Sequence, residues 1–140
     1  MNGDDQIGGR EAGPAQRAVE RLLEAVHRRD AIGAGACFAA DANYRNMPHP
    51  PAVGPAGVQD LLSPILRRSA RVQWDVVTAA YQDDRAWVER VDRFWIDGQE
   101  YAVECNAVVE VDAKTGLITE FRDYVDLATW RARLGDVLTR

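Results

Sequence analysis

The stretch RAWVERVDRFWID, residues 85–97, decides the fold. Its residues alternate. Val88, Arg90, Asp92 and Phe94 fall on one face of an extended chain, and Trp87, Glu89, Val91, Arg93 and Trp95 on the other. A run this rich in β-branched and aromatic residues, closed by Asp97-Gly98, reads as a strand entering a hairpin turn. Three more runs of the same period lie near residues 71–81, 100–111 and 117–125, set off by Asp83-Asp84 and Lys114-Thr115-Gly116. Together they predict a four-stranded antiparallel meander.

Upstream the period changes to that of a helix. From Pro14, a favourable first-turn residue, Ala18, Val19, Leu22, Leu23 and Val26 mark one apolar stripe that ends near Asp30. A second, shorter helical piece is expected over Ala31 to Ala40, weakened by Gly33 and Gly35. The run Asn46-Met47-Pro48-His49-Pro50-Pro51 is a stiff loop, because each proline removes a donor and biases its predecessor to extended backbone. Val58, Leu61, Leu62, Ile65 and Leu66 then restore helical spacing, with Pro64 expected to kink or split the helix. Asp126 caps a last helix through Leu127, Trp130 and Leu134, expected to cover one edge of the sheet. Helices first and strands after give an α+β fold, a curved antiparallel or mixed sheet wrapped around N-terminal helices.

At 140 residues, 46% hydrophobic and 28% charged, the chain fits a single globular domain, expected over 14–140 behind a disordered tail at 1–13. The net charge of −5 offers no basic surface for phosphates, which argues against nucleic acid. Cys37 and Cys105 stand far apart and read as small core residues. No run approaches the length of a membrane span, the first residues lack the apolar stretch of a signal peptide, and a cytoplasmic protein is expected.

Alternation also places chemistry. Arg90 and Asp92 share a surface, and on the fourth run Asp123 falls in a row with Leu117, Thr119, Phe121 and Val125. A carboxylate in an apolar row is costly alone, and a guanidinium between two carboxylates satisfies all three groups. One excess negative charge remains, which drives the two protonation equilibria apart and makes one group an acid and the other a base. The same trio also serves as an internal salt bridge that holds the sheet together. Tyr44 and Asn46, if extended, point the same way and are suited to holding a water; equally, the Tyr closes the core and the Asn makes a turn. His27, His49 and the four tryptophans read as structural or solvated positions, core, pocket wall or subunit contact.

The order Tyr44-x-Asn46 with Met47-Pro48 following, then Glu89-Arg90-Val91-Asp92, then Arg122-Asp123-Tyr124, resembles the limonene-1,2-epoxide hydrolase family over roughly residues 14–135. The resemblance implies a cone-shaped fold of the nuclear transport factor 2 type, shared with ketosteroid isomerases and polyketide cyclases, a homodimer, and no cofactor or metal. It makes Asp123 the general base on water, Tyr44 and Asn46 its other holders, Asp92 the acid and Arg90 the bridge. The substrate it implies is a small apolar epoxide of terpene or cyclic type, opened to a vicinal diol. Val88, Phe94, Phe121, Leu62 and Met47 read as the walls that hold it. The chain departs from the family at Phe121, where a tryptophan is usual; a phenyl ring cannot donate the indole hydrogen bond. Two other readings keep the fold: an isomerase or cyclase acting beside a carbonyl, and a non-catalytic carrier of a hydrophobic molecule. The inward charged residues argue against the carrier.

Overall fold

The structure is a computed structural model and describes residues 11–139. Most of the tail expected over 1–13 lies outside the described residues. Helix α1 (Pro14–His27) starts where the proline directs it, and buries Ala15, Ala18, Val19, Leu22, Ala25 and Val26, one stripe of the predicted period. The short α2 (Ala31–Gly35) is capped by Asp30, whose side chain accepts from the Gly33 backbone N–H. Strand β1 (Phe38–Asn46) follows after a turn at Ala36 and Cys37, then β2 (Ala52–Val53) and helix α3 (Gly54–Arg68). Strands β3 (Arg71–Tyr81), β4 (Arg85–Ile96), β5 (Gln99–Val111) and β6 (Ile118–Val125) form the meander. The chain closes with α4 (Leu127–Trp130), a π-helical segment (Arg131–Gly135) and α5 (Asp136–Thr139).

The architecture is α+β with a curved, open, mixed sheet of six strands in the order β2-β1-β6-β5-β4-β3. The meander is antiparallel throughout, whereas β1 pairs with β6 in parallel. α1 lies against β3, β4 and β5, and α3 against α2 and β1. Two bulges bend the meander, each an extra residue in one strand, which increases the local twist. Val77 is the extra residue in β3 opposite Glu89 and Arg90, and Thr119 in β6 opposite Glu110 and Val111.

Four expectations are corrected. The helix expected over Ala31–Ala40 stops at Gly35, and residues 38–46 are a strand, whose alanines favour helix but whose Phe38, Ala42 and Tyr44 alternate inward; its hydrogen-bonding partner is β6, far along the chain. The sheet therefore has two strands more than the meander. The bulge at Thr119 turns Ile118 inward, so Leu117 and Thr119 do not share the face of Phe121 and Asp123; Thr119 instead donates from its hydroxyl to the Glu110 carbonyl. Of the two outcomes expected at Pro64, a kink or a split, the split is ruled out: α3 continues across it to Arg68. The last helix is capped as expected, Asp126 accepting from Ala128 and Thr129, but it packs on the interior strand β5 and on α3 rather than on a sheet edge.

Gly54 sets the angle at which α3 leaves the sheet. Its φ of +70° is left-handed, and a Cβ there would sit 2.5 Å from the Ala40 carbonyl oxygen of β1. Gly54→Ala is expected to cost roughly 2 kcal/mol or more, since strain and a backbone clash combine. Gly98→Ala, at φ +81° with open space around it, should cost only about 1 kcal/mol. Denaturant midpoints of the two variants check the difference.

Candidate active site

The inward row of β4 carries Val88, Arg90, Asp92 and Phe94, all buried as the alternation requires. Arg90 is 2% exposed, Asp92 7% and Asp123 4%. Arg90 donates from Nε to Asp92 Oδ1 and from Nη2 to Asp92 Oδ2, both at 2.9 Å, a bidentate pair. Nη2 also donates to Asp123 Oδ2 at 2.8 Å, which ties β4 to β6 across β5. The guanidinium lies 4.9 Å from the ring of Trp74 and 5.7 Å from that of Phe121, so two aromatic faces hold it in place. Trp74 is the direct cross-strand partner of Asp92, and its backbone N–H donates to His27 Nε2 at 2.9 Å. His27 is thus structural, an acceptor that pins α1 to β3.

The parallel pairing of β1 and β6 brings in the other two residues. Tyr44 stands opposite Phe121 and Asn46 opposite Asp123, and the Met47 N–H donates to the Asp123 carbonyl at 2.9 Å. The rings of Tyr44 and Phe121 stack at 4.6 Å and 9°. Tyr44, Asn46, Asp92 and Asp123 all face one cavity of about 410 Å³, with Arg90 immediately behind its floor. The wall is mostly apolar, with Leu62, Ile65, Phe94, Val103 and Trp130 among its side chains.

Electrostatics follow from this burial. Burial works against the Arg90 charge, but Asp123 and Asp92 outweigh it, and the guanidinium is held well above its usual pKa. Burial pushes the Asp123 carboxyl up, Arg90 pulls it back, Asp92 pushes it up again, and the direction is upward. Burial, then the charge of Asp123, raises the Tyr44 phenol well above its ordinary value, so it is a neutral donor. Asp123 Oδ1, Arg90 Nη1 and Trp74 Nε1 are buried with no protein partner among the described residues. A buried acceptor without a donor is costly, and Asp123 Oδ1 is the one such acceptor among the buried side-chain atoms described.

The five candidate catalytic residues are therefore gathered at one place. Of the expected walls, Leu62 and Phe94 line the cavity. Val88 and Phe121 do not: they lie behind Arg90 around a small void in the core, because Arg90 and Tyr44 stand between them and the cavity. Met47 is also off the wall, engaged through its backbone with β6. Cys105 was read only as core. It lines the floor as the cross-strand partner of Arg90, and the period-2 run Val103, Cys105, Ala107, Val109 carried the signal. Burial, then Asp92, push its thiol far up, so it is neutral. Asp92, Cys105 and Asp123 have ligand atoms within 4.8 Å of one another, but Arg90 already supplies the positive charge that a cation would bring to them.

Comparison with known proteins fixes the family. The SnoaL-like domain matches residues 19–121, well over half of the chain. The chain belongs to the SnoaL-like family. Three solved structures show how this SnoaL-like domain sits among its relatives. A Mycobacterium tuberculosis LEH-like epoxide hydrolase is 27% identical, with a TM-score of 0.68 over 90% of this chain and 92% of its own. A chain from Xanthomonas campestris assigned as a polyketide cyclase is 24% identical, with a TM-score of 0.71 over 86% of this chain and 96% of its own. The Δ5-3-ketosteroid isomerase of a Mycobacterium species is 18% identical, with a TM-score of 0.73 over 84% of this chain and 97% of its own. The last two share the fold with this SnoaL-like domain.

Removing the bridge tests the electrostatics. Arg90→Met leaves two buried carboxylates facing each other and should cost about 3–5 kcal/mol near neutral pH. With the guanidinium gone, burial and the charge of Asp92 hold the Asp123 carboxyl above its unfolded value. The variant is then most stable below that value and loses stability as pH rises. Urea unfolding at acid and at neutral pH checks both magnitude and sign.

Proposed function

We propose that this SnoaL-like domain is a cofactor-independent epoxide hydrolase that adds water directly to an apolar epoxide. The observation that carries the reading is the Arg90-bridged pair at the floor of an apolar cavity, with the free Oδ1 of Asp123 close to Tyr44 and Asn46. The identity with the LEH-like epoxide hydrolase over nine-tenths of the chain supports it. Tyr44 and Asn46 hold a water against Asp123. As its oxygen attacks an epoxide carbon, Asp123 takes its proton, the carbon–oxygen bond breaks and Asp92 gives a proton to the departing oxygen. The product is a vicinal diol.

The pair carries one proton through the cycle. After attack it sits on Asp123, which is the state that the raised Asp123 pKa and the bidentate ion pair of Asp92 favour at rest. The reactive state has it on Asp92, so each turnover needs the proton to move back across the pair. Burying Asp123 makes it a stronger base than an ordinary carboxylate, at the cost of a smaller ionised fraction.

The resemblance also implies a homodimer, and the exposed Val76, Val77 and Trp87 on neighbouring strands β3 and β4 offer an apolar contact for one. One observation favours a second reading. A neutral phenol deep in the cavity suits an oxyanion formed next to a carbonyl, as an isomerase or cyclase requires. Turnover of an enone in place of an epoxide would select it.

Asp123→Asn and Asp92→Asn should each lower kcat by about 10²–10⁴-fold, since each removes one proton transfer. In the parent, the low-pH limb of kcat/KM should stand above the ordinary aspartate range. Substantial turnover by either folded variant overturns the assignment.

Direct attack and a covalent ester route differ in where oxygen comes from. In a single turnover in ¹⁸O-labelled water the diol should carry the label. An unlabelled first diol, with label entering the carboxyl of Asp123 or Asp92, would show the ester route instead.

A further inference from the structure

The cavity has a second polar end. Its floor is the Arg90 pair, its middle is apolar, and Arg131 lines it from the π-helical segment that follows Trp130. Arg131 is exposed; its backbone N–H donates to the Ala128 carbonyl, but its side chain makes no hydrogen bond or ion pair among the described residues. Its neighbours are committed. Arg133, two residues on, donates to the Ala102 carbonyl and to Glu104, and the Asp126 carboxylate caps the Ala128 and Thr129 N–H groups. What distinguishes Arg131 is its place: a cation without an internal partner on the wall of an apolar cavity is available to an anionic group of a ligand there.

The spacing can be read off the wall. Asp92 and Phe94 are one inward step apart on β4, and the Phe94 and Trp130 rings are 6.3 Å apart at their centroids. A strand rises about 3.3 Å per residue, so the two-residue step from Asp92 to Phe94 spans about 7 Å and the mouth lies at most roughly 13 Å from the floor. Leu61 and Pro64, both exposed on the cavity wall, continue the apolar lining outward.

We propose that Arg131 is an anion-binding residue at the cavity mouth, and that the ligand of this site is an amphipathic molecule: an apolar body ending in a carboxylate that Arg131 holds. Its guanidinium presents two parallel N–H donors that match a carboxylate. Binding stands on the geometry alone. The statement that the substrate is an epoxide bearing an anionic group at its far end rests on the epoxide hydrolase reading.

Decanoate and decan-1-ol are the probes, matched in apolar body and differing in charge. Titration followed by calorimetry and by tryptophan fluorescence should show decanoate binding about tenfold tighter to the parent protein, the strength of one hydrogen bond to a charged group. Arg131→Gln should bring the two affinities together, Arg131→Lys should keep part of the preference, and Arg131→Glu should reverse it. Arg133→Gln serves as the control and should leave the preference intact. Equal affinities in the parent, or a preference that survives Arg131→Gln, overturn the assignment.

Turnover separates this inference from the hydrolase reading. For a terminal epoxyalkanoate and its methyl ester, Arg131→Gln should lower the acid-to-ester ratio of kcat/KM about tenfold. Hydrolysis of both with a ratio unmoved by the substitution overturns the inference and leaves the hydrolase. A decanoate preference that Arg131→Gln abolishes, with neither epoxide opened, overturns the hydrolase and leaves Arg131 at its post.

Discussion

A guanidinium that is 2% exposed must be surrounded by acceptors, and Arg90 finds them on two strands. Most of the molecule can be understood as what is needed to put them there. β5 has to lie between β4 and β6 at the register that sets Arg90 opposite Cys105 and Ala107 opposite Asp123. Small side chains at those two β5 positions leave the guanidinium room to reach across. Trp74 and Phe121 close its two sides, and α1 is fastened to β3 through His27 directly beneath Trp74. Replacing this trio by apolar residues of equal volume is expected to leave the core as stable or more so, since buried ion pairs seldom repay their desolvation. Its retention in the middle of the sheet is therefore an argument about chemistry rather than stability.

The charge balance of the site has the same character. Two dry carboxylates and one cation leave room for a single proton, and the sheet does not treat the carboxyls alike. Asp92 receives both donors of a planar fork, whereas Asp123 receives one and keeps an oxygen free. Asymmetry of this kind is what lets one pair of identical functional groups hold two different roles.

Much of this was legible beforehand, for a definite reason. Where the sheet is a local meander, side-chain parity survives from sequence to structure: the buried row Val88, Arg90, Asp92, Phe94 follows from alternation, and so does the hairpin at Asp97-Gly98. Alternation fails at a bulge. Thr119 shifts the row that begins β6, so that Ile118 rather than Leu117 or Thr119 points inward, and no residue near it announces the shift. It is also overlooked where pairing is not local. In β1 the alternation of Phe38, Ala40, Ala42 and Tyr44 against Asp41, Asn43 and Arg45 was masked by its alanines, which favour helix, and the parallel partner that makes it a strand comes at the end of the fold. The walls were misjudged for a third reason. Val88 and Phe121 do face inward, but inward has depth, and Arg90 and Tyr44 occupy the nearer layer.

The parallel seam between β1 and β6 joins segments such as Asn43 and Glu120, 77 residues apart. Contacts of such long range are made late, because the entropy of closing the loop is spent before the pairing returns anything. The meander can form from neighbours alone, and α1 can dock on it. Tyr44 and Asn46 cannot meet Asp123 until the seam has zipped. During synthesis, the cavity floor is thus among the last parts of the molecule to come into being, and a nascent chain halted before β6 holds a buried arginine side without the partner that completes it.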